Sequence, residues 1–168
     1  MKIKNKISIK FLSIIPALFS IAFSTQAHAY SEMQLNASGV FFPQENLNND
    51  EFNPFGGWSA RGEIMTNTGF SFGLGHTWSE GYRFIDAREL YWFSEHMFGF
   101  YTGLSEHIQY YNKSGFGGGL ALGYAMPLTY YVNLNVEAEA GYGSQRFYRS
   151  IYDPFYFMAS AGISVNLY

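Results

Sequence analysis

The chain predicts an all-β fold: an eight-stranded antiparallel up-and-down transmembrane β-barrel behind a cleaved signal peptide. Three observations carry that prediction. An export leader opens the chain, later runs alternate strictly between apolar and small or polar residues, and turn-rich segments separate those runs at barrel spacing.

The leader has a basic start (Lys2, Lys4, Lys6, Lys10), an apolar stretch over 11–23 and an A-x-A site at Ala27-His28-Ala29, so cleavage is expected after Ala29. This divides the chain into a signal peptide, 1–29, and one domain, 30–168, of 139 residues. No cysteine exists, so disulfides cannot staple the exported fold. The later sequence holds no run of eighteen apolar residues, so any membrane crossing must be made by strands.

The clearest alternation spans 116–142. Val132, Leu134, Val136, Ala138, Ala140 and Tyr142 share one face; Asn133, Asn135, Glu137, Glu139 and Gly141 share the other. The preceding run sets Leu120, Leu122, Tyr124 and Met126 against Gly119, Ala121, Gly123 and Ala125, with a short turn at 126–129. A soluble sheet would bury the apolar face, whereas a membrane barrel turns it to lipid and fills its interior with polar and small residues. Each run is about ten residues, enough for a tilted strand to cross a bilayer. Aromatics at the run ends (Tyr124, Tyr130, Tyr131, Tyr142) suit interfacial girdles. The barrel is favoured, and a soluble periplasmic β-domain is the weakest alternative.

In order, the first strand is 33–41, with Met33, Leu35, Ala37 and Phe41 outward. Residues 43–57, rich in Asn, Pro and Gly, read as a loop. The second strand, 58–66, points Arg61 and Glu63 inward, and after the turn 67–69 the third alternates from Phe70 to Ser79. The fourth, 83–93, must turn either Arg88 or Glu89 outward, which a bulge would relieve. A turn at 94–97, a fifth strand over 98–108, a loop at 112–115, the central hairpin, a loop at 143–154 and an eighth strand over 155–167 complete the count. Terminal Tyr168 falls on the inward set with Asn166 and Ser164, unlike the outward terminal aromatic usual in such barrels. The second, fourth and sixth connections are short and the first and last long, the asymmetry of periplasmic turns and external loops.

Four of the ten basic residues lie in the leader, leaving six against thirteen acidic ones, a balance of −7 that argues against a nucleic-acid partner. The segments Glu89-Leu90-Tyr91-Trp92-Phe93-Ser94-Glu95, Phe98-Gly99-Phe100-Tyr101-Thr102-Gly103-Leu104, Tyr110-Tyr111-Asn112 and Gly117-Gly118-Gly119-Leu120-Ala121-Leu122-Gly123-Tyr124 resemble domain-of-unknown-function family 3575. The likeness covers about 88–142. It implies a small bacterial outer-membrane barrel, in some members encoded beside surface-fibre genes, and it carries no catalytic assignment.

Arg61, Glu63, Glu137 and Glu139, with Arg88 in one register, are expected to form a charge network that plugs the barrel. The carboxylates outnumber their cations, so one glutamate must be protonated or paired with a further residue. Ser105 and His107 share a strand face about 7 Å apart and are the candidates for a lipid-modifying hydrolase or acyltransferase. Their neighbour Glu106 points away, which opposes a local triad. No His and carboxylate spacing matches a metal site, and no cofactor is implied. In the long loops, Phe55, Arg146, Tyr148 and Arg149 are candidates for contact with an external protein, a surface fibre or lipopolysaccharide. The function expected is therefore a structural or surface-interaction role in the outer membrane.

Overall fold

The computed structural model describes residues 32–42, 45–46, 51–52, 55–79, 82–94, 96–111, 114–144 and 155–167. These belong to one compact unit, Ser31–Tyr168. The leader with its cleavage site, most of the 143–154 loop and Tyr168 lie outside the described residues.

The strands are β1 (Glu32–Phe42), β2 (Glu45–Asn46), β3 (Glu51–Phe52), β4 (Phe55–Met65), β5 (Phe70–Ser79), β6 (Tyr82–Trp92), β7 (Gly99–Gln109), β8 (Gly115–Pro127), β9 (Val132–Gly143) and β10 (Phe155–Leu167). Eight of them, β1 and β4 to β10, close an antiparallel barrel, and β1 seals it by pairing with both β10 and β4. Each sequential neighbour is joined by a hairpin, so the topology is the up-and-down arrangement that abolishes sheet edges.

The faces follow the predicted parity. Leu120, Leu122, Phe100, Leu104 and Ile163 are exposed on the outer wall, while Arg61, Glu63, Glu137 and Glu139 are buried in the lumen at 2–7% exposure. Among the described residues no helix is long and apolar enough to cross a membrane.

Two boundaries differ from expectation, and one open register is resolved. The first loop is shorter than 43–57: it holds the small β2–β3 hairpin, and β4 already begins at Phe55. Gly56 and Gly57 read as turn residues but pair with Phe41 and Val40 of β1. A Cβ on Gly57 would stand 2.2 Å from the Trp78 carbonyl oxygen, so glycine there serves close strand approach. The central turn falls at 128–131, because Pro127 is tolerated at the end of β8, where it pairs with Asn133. In β6 the register to β5 and β7 runs without a bulge; Arg88 points in and Glu89 out. An outward carboxylate costs less than an outward guanidinium in lipid, and inward Arg88 finds two carboxylates.

The turns at 66–69, 93–98 and 128–131 share one barrel end with the start of β1 and the end of β10. The first of these needs glycine: Gly69 has φ +82° and donates its N–H to Thr66 O at 3.1 Å. The opposite end carries the loops after β1, β5, β7 and β9.

Candidate functional site

The lumen collects the predicted charges into two networks. In the first, Glu137 of β9 reaches across the barrel in both directions. Arg61 of β4 donates from Nη1 at 3.2 Å, Arg88 of β6 from both Nη atoms, and Tyr101 of β7 from its hydroxyl at 2.9 Å. Glu63 sits 3.8 Å from Arg88 Nε and accepts from Ser71 at 2.5 Å, and Ser71 in turn accepts the Trp92 indole N–H at 2.8 Å. One carboxylate thus ties together three strands, none of them a neighbour of β9 in the sheet.

The second network was only partly foreseen. Glu139 does not join Arg61 or Arg88; its Oε1 lies 2.7 Å from His107 Nε2 and accepts the Tyr156 hydroxyl at 2.5 Å. His107 Nδ1 lies 2.7 Å from Asp86 Oδ1, and Thr77 donates to Asp86 Oδ2 at 2.6 Å. A ring protonated at both nitrogens satisfies both carboxylates. His107 is therefore the further partner that the excess of carboxylates called for. Parity would have found it: Ser105, His107 and Gln109 share the buried face of β7, as Phe84, Asp86 and Arg88 share that of β6.

This arrangement bears on the proposed catalytic pair. Ser105 and His107 both face the lumen and are 4% and 2% exposed. Both ring nitrogens of His107 are occupied by carboxylates, and both side chains face the barrel interior. Attack on an acyl chain needs a hydroxyl within hydrogen-bond reach of its base and a path for substrate; among the described residues the geometry provides neither. Among the described residues no group of three or more His, Asp or Glu side chains is placed to hold a metal ion.

Apolar stoppers close the networks in. At the loop end Val40, Phe42, Tyr82, Phe84, Tyr156 and Met158 pack together. At the turn end Met97 folds into the mouth, buried against Met65, Leu90, Trp92 and Tyr101. Gly99, with φ +83°, follows this inward bend. The Met97 carbonyl accepts from Asn133 at 2.9 Å and Gln34 at 3.3 Å, and Glu32 holds the segment through His96 Nδ1 at 2.5 Å and the Met97 N–H at 3.3 Å. Between the stoppers lies a polar cavity of about 10 Å³, lined by Arg61, Arg88, Asn135 and Glu137, the scale of a single water position.

Small residues make room for this filling. Tyr101 packs against Gly123 and Tyr156 against Gly141, where a Cβ would approach the rings to 2.2 and 2.5 Å. Of the loop candidates, Phe55 belongs to β4, and Arg146, Tyr148 and Arg149 lie outside the described residues.

No family model matches the chain, and no curated protein matches it. Among solved structures it is similar to the crystal structure of Neisserial surface protein A, with 15% sequence identity and a TM-score of 0.49, over 82% of this chain and 97% of that one.

Proposed function

We propose that this protein is an integral barrel of the bacterial outer membrane with a structural or surface-interaction role, exported through its leader and inserted with the loops outward. One observation carries the reading: the apolar side chains are outside and the charges inside. Leu120 is 65% exposed and Phe100 61%, whereas Glu139 is 2% exposed. In water such a surface would drive aggregation; in lipid it is the stable arrangement. Exposed aromatics at both wall ends support it, with Trp58, Tyr142 and Phe155 toward the loops and Phe70, Tyr124 and Tyr130 toward the turns. The resemblance to family 3575 points the same way, and its surface-fibre association makes an external fibre protein the partner class to test.

The stoppered lumen favours a wall or a loop platform over a channel. A heat-shift gel on the outer-membrane fraction tests the membrane reading. The folded barrel should migrate differently before and after boiling and resist extraction by alkaline carbonate; recovery in the soluble periplasmic fraction with no shift would refute it.

A further inference from the structure

Resting on the outer-membrane reading, we propose that the outer wall at the loop end carries a docking site for a phosphorylated lipid headgroup of the external leaflet, lipid A being the occupant. The site is built on β4, β5 and β6 and on the two residues that follow β7. Trp58 and Trp78 stack with ring centroids 3.9 Å apart, and His76 lies 3.8 Å from Trp78. His76 reaches across β6 to hydrogen-bond the Tyr110 hydroxyl. Arg83 sits opposite Trp78 in the register, its backbone carbonyl accepts the Tyr110 N–H at 3.2 Å, and its guanidinium lies 5.3 Å from the centre of the Tyr111 ring. The result is a continuous aromatic shelf with one guanidinium at its edge.

Charge decides the occupant. Among the described residues Arg83 is the only exposed Lys or Arg side chain, in a chain whose exported part carries a balance of −7. A guanidinium with a free edge binds phosphate through paired N–H donors, and the hydroxyl of Tyr111, a residue about half exposed, stands ready as a further donor. Ile85 and Ile108, exposed on the strands toward the wall's middle, continue the shelf as acyl-chain contacts. Glu106, the nearest outward carboxylate on β7, pairs with Ala87, four residues along β6 from Arg83 or about 13 Å. That separation puts it beside acyl chains and away from a headgroup phosphate.

Native mass spectrometry of the folded barrel tests this, using an equimolar mixture of bis-phosphorylated lipid A, its phosphate-free form and phosphatidylglycerol. Wild type should retain one bis-phosphorylated lipid A in preference to the other two. Arg83→Gln should lower that retention about tenfold, Glu106→Gln should leave it unchanged, and millimolar inorganic phosphate should not displace the lipid. Undiminished retention by Arg83→Gln, equal retention of the phosphate-free form or of phosphatidylglycerol, or displacement by free phosphate would each overturn the site. A heat-shift gel on the same samples separates the two failures: a normal shift without lipid preference sinks only this site, and an absent shift sinks the barrel reading beneath it.

Discussion

Glu137→Ala should destabilise the barrel by about 3–5 kcal/mol, the range for removing one partner from a buried ion pair. The carboxylate lost is the shared acceptor for Arg61, Arg88 and Tyr101. Glu63 remains near Arg88, at 3.8 Å, but Arg61 is left with no carboxylate contact among the described residues. Both guanidiniums are at least nine-tenths buried, and an arginine cannot relieve the strain by giving up its proton. Glu137→Gln keeps an acceptor for Tyr101 while removing the charge, so its cost should fall between alanine and wild type. The measurement is the urea midpoint for unfolding from lipid vesicles. A midpoint for Glu137→Ala matching wild type would mean that the lumen is braced by packing alone.

The second large effect concerns His107. Replacing it with leucine leaves Asp86 and Glu139 in a closed space without the ring that now stands between them. Two buried carboxylates deprived of the cation in contact with both should cost about 3–5 kcal/mol, well beyond a volume-conserving swap. Rescue is the discriminating part. His107→Leu combined with Glu139→Gln should recover a large share of the loss, because the double variant retains a single carboxylate, still bonded by Thr77. If the double variant loses the sum of the two single losses, His107 acts by packing against Phe84 and Tyr156 and not by charge.

The barrel was legible because a closed sheet with an apolar outside and a polar inside imposes a period-two pattern that no turn interrupts. From Val132 to Tyr142 every residue's face follows from its parity, and Arg61 and Glu63 follow in the same way. Strand β6 resisted because Arg88 and Glu89 are adjacent and one of them must face outward. Parity alone does not choose; the pairing of Arg88 with Glu137 does, and that pairing exists only once the sheet has closed. Asp86 and His107 were lost with it, since a histidine two residues from a serine suggests catalysis before it suggests a brace. The inward fold of Met97 left little trace beyond its being the one apolar residue of the turn at 94–97. What locks it, the amides of Gln34 and Asn133, lies 63 and 36 residues away.

The barrel's inside-out arrangement is most directly tested by nitroxide labels on single cysteines, placed one at a time along β9 in a chain that has no cysteine of its own. In reconstituted vesicles, labels at Leu134, Val136 and Ala138 should collide freely with dissolved oxygen, as in bilayer hydrocarbon. Labels at Asn133 and Asn135 should be shielded from oxygen. A reversed pattern, or water-soluble nickel complexes reaching Leu134 and Val136, would contradict the inside-out barrel.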